Sequence, residues 1–317
     1  MASFGDLNRV NTNVQSLDAQ LSLNRVNRDL ANSQERLTTG KKINKAEDNA
    51  AGYSIATKLK SRIAGLEQSL QNIGDAKSVL DITESSFDIV MDSLIEMKAL
   101  ATQAANDTLG ETERSYIGDR INAIGNDINE IANQTIFQDT ELLNGIDNSG
   151  SITLTFQTGE RKDDTITSTI NAVNVGELFA ASGDRSLGAT IVAGGGAAAS
   201  GAISVTAATA SDQGSFTFAT TATGADFNAF ISAVDDAIDL MAENVNTIGI
   251  TQSSLGLREE TLSESILANE SAKSRILDTD FAREQAESVR LQILQQTATS
   301  ALAQANSGPQ AVLGFLG

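Results

Sequence analysis

Hydrophobic positions along this chain recur at alternating three- and four-residue steps over most of its length, the signature of helices with one apolar seam. The first run carries Val10, Val14, Leu17 and Leu21, then Val26, Leu30 and Leu37. It stops at Thr38-Thr39-Gly40, where Gly40 can take the left-handed conformation that ends a helix. Residues Asn44 to Gly52 read as a connector. A longer run from Leu59 passes through Ile63, Leu66, Leu70, Ile73, Leu80, Phe87, Val90, Leu94 and Met97 to Ala104, interrupted by Lys77 and Glu84. At 1.5 Å per residue it exceeds roughly 65 Å, and a proline-free heptad of that length implies a coiled-coil rod. After a turn at Asn106 to Glu113, Ile117, Ile121, Ile124, Ile128 and Ile131 give a third stripe able to fold back on the second.

Past Leu143 the period falls to two. Ile152, Leu154 and Phe156 alternate with Thr153 and Thr155, and a turn at Gly159 to Asp164 leads to a second strand at Ile166 to Ile170. This predicts a β-hairpin. From about Gly183 to Gly224 the chain is a mixture of Gly, Ala, Ser and Thr with alternating Phe216 and Phe218, which predicts a small β-rich excursion. Its Gly194-Gly195-Gly196 lacks the following Gly-Lys-Ser/Thr of a phosphate cradle, so it reads as a loop.

Helical periodicity returns at Phe227 and runs through Ile231, Val234, Ile238, Met241, Val245, Ile248, Leu255, Leu262, Ile266 and Ile276. Gln252, Glu259, Asn269 and Lys273 fall on this seam, where polar residues lower stability and fix register. The last helix carries two seams: Ala282, Ala286, Val289 and Ile293, and then Leu291, Leu294, Ala298, Ala301 and Ala305. One partner cannot cover both. The apolar tail Val312, Leu313, Phe315 and Leu316 also lacks cover, as do Phe4 and Leu7 at the other end. The ends therefore need each other and neighbouring copies. Identical contacts that fail to close give a helical filament, whereas contacts that close give a finite bundle. Periodicity alone admits both.

Composition narrows the chemistry. Histidine and cysteine are absent, which removes imidazole and thiolate as bases, nucleophiles or metal ligands and rules out disulfides. The single proline is Pro309, and tryptophan is absent. A formal net charge of -19 disfavours nucleic acid and anionic membrane surfaces. Between Phe227 and Asn269 seven carboxylates face only Arg258, which reads as a solvated helix face because no twelve-residue acidic loop with a central glycine is present. No apolar run reaches the roughly 18 residues of a membrane span, and the N-terminus lacks the apolar centre of a cleaved signal peptide. The expectation is a non-enzymatic chain without metal or cofactor.

The residues resemble the bacterial flagellin family. The likeness lies in NRVNRDLANSQERLTTGKKINKAEDNAAGYSIATKL at Asn24 to Leu59, LATQAAND at Leu100 to Asp107 and IANQTIFQDTELL at Ile131 to Leu143. It continues in KSRILDTDFARE at Lys273 to Glu284 and, most specifically, in QILQQTATSALAQANSGPQAVLGFLG at Gln292 to Gly317. The resemblance implies a mainly α fold: an elongated antiparallel helical coiled-coil rod from paired N- and C-terminal segments, one β-hairpin and a small β-rich central insertion. It divides into residues 1–43 with 274–317 as an inner-tube domain, 44–182 with 227–273 as a rod domain holding the hairpin at 151–171, and 183–226 as a variable outer insertion. The implied self-assembly residues are Val10, Val14, Leu17, Leu21, Leu30, Leu37, Val289, Ile293, Leu294, Ala298, Ala301, Leu313 and Phe315.

As a family member the chain would leave the cell unfolded through the flagellar type III apparatus, served by an export chaperone. It would join an extracellular filament that swims, between hook-junction proteins and a cap. A hook-filament junction protein is the alternative, although the closing Ala303 to Gln310 run favours the filament. Hydroxyls between Ser182 and Thr223 are candidates for O-linked glycans. In many flagellins a vertebrate innate receptor is thought to read a patch of Arg, Leu, Gln and Glu. Here Leu100 and Gln103 match, but Glu96 stands at the arginine position and Arg120 at the glutamate position. The reversal predicts weak receptor activation.

Overall fold

The computed structural model describes residues 13–144, 150–179, 203–205 and 214–316. Val10, Phe4, Leu7, the glycine triplet and most of the central insertion lie outside them, as do the side chains of Leu313 and Phe315. In chain order the elements are α1 (Val14–Thr39), α2 (Ala50–Ala104), α3 (Glu111–Gln134), β1 (Ile136–Phe137), β2 (Thr140–Glu141), β3 (Ser151–Gln157), β4 (Thr165–Asn171), α4 (Val175–Leu178), β5 (Ile203–Val205), β6 (Phe216–Phe218), α5 (Gly224–Leu277) and α6 (Phe281–Leu316). The fold is mainly helical, with long N- and C-terminal helices paired and small hairpins between. The chain divides into two compact units, Met1–Ala64 with Ile266–Gly317, and Gly65–Ser265.

In the first unit α1 pairs with α6. Asn13 caps α1 by accepting the Ser16 N–H, and its own side-chain amide donates to the Ala305 carbonyl at 2.8 Å. Gln295 donates to Asn27 at 2.8 Å, and Ser16 to Asn306 at 2.7 Å, so residue numbers fall on one helix as they rise on the other. Gly40 closes α1 with φ 71°, as its position predicts. The two connectors are clasped: the Lys42 N–H donates to the Leu277 carbonyl, the Thr279 N–H donates to the Gly40 carbonyl, and Lys41 bridges Asp278 antiparallel. Asp48 holds its loop by accepting the Asn44 and Lys45 N–H groups at 2.9 and 3.0 Å. Those two backbone bonds hold its carboxyl below the usual carboxylate range. α6 continues past Pro309 to Leu316.

In the second unit α2 pairs with α5. Within this unit the seam of α2 runs Leu66, Ser69, Ile73, Ala76, Leu80, Thr83, Phe87, Val90, Leu94, Met97, Ala101 and Ala104 in three-four alternation, with Val79 buried beside Leu80. Lys77 and Glu84, which the periodicity places on the seam, instead flank it beside Ala76 and Thr83. A hydroxyl is admissible there because Thr83 donates to the Val79 carbonyl at 2.9 Å. Both flanking charges meet polar residues of α5: Lys77 pairs with Glu259, and Glu84 accepts from the Gln252 amide at 2.8 Å. Lys98 and Asp235 pair at 2.5 Å further along. The α5 seam is Phe227, Phe230, Val234, Ala237, Met241, Asn244, Ile248, Thr251, Leu255 and Leu262.

α3 buries Gly118, Ile121, Gly125, Ile128 and Ala132, while Ile117, Ile124 and Ile131 are half-buried. The two glycines admit rings. A Cβ at Gly125 would lie 2.7 Å from the Phe216 ring, and one at Gly118 2.9 Å from Phe218. Phe179, Phe216, Phe218, Phe227 and Phe230 form one aromatic cluster there, with centroid separations from 4.9 to 6.2 Å.

The hairpin β3–β4 has the expected alternation and pairs Ile152 with Ile170 and Phe156 with Ile166. Asn171 ties it to α5 by donating to Asn244 at 2.7 Å. A shorter hairpin, β1–β2, turns through Gln138 and Asp139, both at positive φ, as a two-residue type I′ turn demands.

Candidate assembly surfaces

The α1–α6 pair covers one face of each helix and leaves the other uncovered. On α1 the covered positions are Ala19, Leu23, Val26, Leu30, Ser33 and Leu37, with Leu30 and Ser33 fully buried. On α6 they are Ser288, Leu291, Gln295, Ala298, Leu302 and Ala305. Each set follows the three-four rhythm of a single seam. Small residues, Ala19 and Ser33 on α1 and Ser288, Ala298 and Ala305 on α6, supply nearly half of it, and Ser33 and Ser288 are both buried.

The remaining large apolar residues are left on the surface. Leu17 is 57% exposed, Leu21 50% and Ile293 58%; Val14, Val289, Leu294 and Phe281 are also exposed. Of the residues assigned to assembly, the structure thus brings Leu30, Leu37 and Ala298 into the α1–α6 seam. Val14, Leu17, Leu21, Val289, Ile293, Leu294 and Ala301 are outside it. Val10 is outside the described residues, and Leu313 and Phe315 lie in α6 by backbone alone. The double seam read on the last helix divides differently: of the second set Leu291, Ala298 and Ala305 face α1 while Leu294 and Ala301 are exposed, and of the first set Ala282, Ala286, Val289 and Ile293 are all exposed. Phe281 was not singled out by periodicity because it stands at the first turn of α6, where no stripe precedes it. Its ring lies 3.6 Å from where a Cβ of Gly40 would be.

On the second unit, Glu96 of α2 and Arg120 of α3 form an ion pair at 2.7 Å, with both side chains more than half exposed. Leu100 is half-buried one turn further along α2, and Gln103 is exposed. Among the described residues no group of three or more acidic side chains is placed to hold a metal ion, and no helix is long and apolar enough to cross a membrane.

The family model described as the bacterial flagellin N-terminal helical region matches residues 10–148, and the one described as the bacterial flagellin C-terminal helical region matches residues 231–316. Flagellin of Listeria monocytogenes serovar 1/2a is 26% identical over 302 residues, which cover 95% of this chain and 97% of that protein. The flagellar filament 41 kDa core protein of Borreliella burgdorferi is 28% identical over 336 residues, 97% of this chain and 99% of its own. A solved structure described as a flagellar hook-associated protein from Vibrio parahaemolyticus aligns with a TM-score of 0.52 at 17% identity, over 73% of this chain and 100% of that one. At that identity the likeness is one of fold. The two family regions together span more than two thirds of the chain, at its two helical ends, and the flagellins match it end to end. The chain therefore belongs to the bacterial flagellin family, as a structural, non-enzymatic subunit of the extracellular flagellar filament that drives motility.

Proposed function

We propose that the subunit enters the filament through the uncovered faces of α1 and α6. Residues 1–43 with 274–317 form the inner tube, residues 44–182 with 227–273 the surrounding rod, and 183–226 the outermost insertion. The observation that carries this is the exposure of Leu17, Leu21 and Ile293 on helices whose other faces are already paired. Burying one such side chain is worth about 1.5–3 kcal/mol, so three per subunit supply a large driving force when repeated at every contact. Export through the type III apparatus with a chaperone, addition beneath a cap, and a junction to the hook complete the reading.

Its test is Leu17→Ser with Ile293→Ser in the full chain, followed by seeded growth in solution. Polymerisation is expected to fail while the helical circular dichroism of the subunit is kept. Normal filaments from that variant would refute the assignment.

A second reading concerns the ion pair of Glu96 with Arg120. In the family resemblance the arginine and glutamate stand in the opposite order, so a receptor complementary to that order meets a like charge at both positions. Weak activation of the vertebrate innate receptor by the purified subunit follows. The double exchange Glu96→Arg with Arg120→Glu keeps the pair and is expected to raise the response in a reporter cell line. A full response to the unaltered subunit would overturn this reading.

A further inference from the structure

The charge of the chain is divided unequally between its two units. Met1–Ala64 with Ile266–Gly317 holds 14 Lys and Arg against 11 Asp and Glu, a net charge of +3; Gly65–Ser265 holds 8 against 30, a net charge of -22. Four of those eight basic residues are already committed within the unit. Lys77 pairs with Glu259, Lys98 with Asp235, Arg114 with Asp107 and Arg120 with Glu96. Where two carboxylates of α2 converge, at Asp81 and Glu84, a neutral amide meets them: Gln252 donates to both, at 2.9 and 2.8 Å. Much of the remaining acidic charge faces water. Asp88 and Asp92 on α2, and Asp236, Asp239 and Glu243 on α5, are all exposed.

A monomer in dilute solution carries this charge at little cost. A filament does not, because each added copy brings a second unit of -22 beside others of the same sign. The +3 of the first unit is too small to offset it, and half of the basic residues of the second unit already serve its own carboxylates. The neutralising charge therefore comes from solution. It is not held at one place: among the described residues no group of three or more acidic side chains is placed to hold a metal ion. A diffuse layer of counter-cations, drawn in by the field of the whole unit, fits this distribution.

We propose that filament growth is linked to cation uptake: each subunit that adds draws counter-cations from solution in among the second units, divalent ions ahead of monovalent ones. One divalent ion replaces two monovalent ones and so gives up less translational freedom for the same charge. The inference rests on filament formation with the second units in the surrounding rod, and deepens it by naming the condition under which the apolar faces of α1 and α6 can close. Apolar attraction acts at contact, whereas the repulsion reaches over a Debye length, about 10 Å at 0.1 M and about 30 Å at 0.01 M ionic strength. In dilute salt the copies are therefore held apart before contact is made.

Seeded growth of the full chain in chloride salts tests it. The critical concentration is expected to fall roughly tenfold or more as sodium chloride rises from about 0.01 to 0.3 M, and further in magnesium chloride of the same ionic strength. Equal growth at all chloride concentrations would overturn the proposal. So would growth that responds to sodium sulfate but not to sodium chloride, which is the mark of apolar salting-out. A variant carrying Asp88→Asn, Asp92→Asn, Asp236→Asn, Asp239→Asn and Glu243→Gln is expected to lower the critical concentration severalfold in dilute salt and to match the parent in concentrated salt. Retention of the parent's full salt dependence by that variant would also overturn it. Salt-independent growth of normal filaments removes this inference and leaves the filament premise standing, whereas failure of the unaltered chain to grow from seeds in every salt removes the premise, and this inference with it.

Discussion

The helix face that receives the aromatic cluster gives a prediction whose sign can be worked out atom by atom. Gly125→Ala in α3 adds one methyl group 2.7 Å from both Cδ2 and Cε2 of Phe216 and 3.5 Å from a methyl of Val175. Replacing glycine by alanine inside a helix ordinarily gains about 1 kcal/mol. Here the ring cannot retreat. Phe216 is fully buried, edge-on to Phe179 at 4.9 Å and to Phe230 at 5.3 Å, with Phe218 beside it at 6.2 Å. Overpacking a closed site costs about 1–3 kcal/mol, so the net effect runs from near zero to about 2 kcal/mol of destabilisation. The informative comparison is with Gly249→Ala on α5, where open space leaves the full gain of about 1 kcal/mol. One chemical change should therefore move stability in opposite directions at two helical glycines. The chain has no tryptophan, so urea unfolding of the monomer is best followed by circular dichroism at the helical band. Phe216→Ala supplies the control: in that background Gly125→Ala should become stabilising, giving a coupling of at least about 1 kcal/mol. Equal stabilisation by both alanines in the parent chain, or no coupling to Phe216, would refute the reasoning.

The flanking charges of α2 and α5 should behave as a weak register lock. Lys77→Glu alone faces Glu259 with a like charge and should cost up to about 1 kcal/mol, since both partners are a third or more exposed. Adding Glu259→Lys should restore most of it, and a double variant no better than the single would show that the pair does not act. The connector between α1 and α2 should show an acid-linked loosening. Asp48 has its folded pKa depressed by the Lys45 and Asn44 N–H groups, the Lys45 bond contributing most. Its contribution is therefore complete above the ordinary carboxylate range and is lost only as pH falls through the lower folded value. Carboxyl titration by NMR should place Asp48 below the ordinary aspartate value of 3.8. A midpoint at or above it would sink the argument, and Asp48→Asn should remove the acid-dependent change in the amide signals of Asn44 and Lys45.

Much of the helical framework was legible because leucine, isoleucine and valine mark a seam by themselves. Leu66, Ile73, Leu80, Phe87 and Leu94 on α2 stand where the periodicity puts them, and all are buried. The seam positions between them were not legible. Ser69, Ala76, Thr83, Asn244 and Thr251 look polar or indifferent in a sequence, yet all are buried at the heptad position. They qualify because small volume lets the helices close and because a hydroxyl can return its proton to the preceding turn, as Ser69 does to the Gly65 carbonyl at 2.9 Å. Reading only large apolar residues therefore shifted Lys77 and Glu84 onto the seam by one position, and put the α3 stripe on Ile117, Ile124 and Ile131 where Gly118, Gly125 and Ala132 are buried. The short β1–β2 hairpin escaped for a related reason. Gln138-Asp139 takes positive φ at both residues without the glycine that advertises such a turn.

The aromatic cluster was hidden by distance rather than by chemistry. Phe179 and Phe216 are in ring contact, but the sequence between them is the glycine- and serine-rich insertion, so no local period connects them. What identifies their meeting place is the glycine pair on α3, seven residues apart, a gap in side-chain volume where two rings enter. The same logic separates the glycines of this chain into two kinds. Gly118 and Gly125 are filled by the chain's own phenylalanines, whereas among the described residues a Cβ at Gly249 would meet nothing within 4 Å and one at Gly256 only the Lys77 ammonium at 3.9 Å. At Gly249 that open space is why alanine should stabilise the helix by its full intrinsic gain, the opposite of the outcome at Gly125, where the same methyl group meets a buried ring.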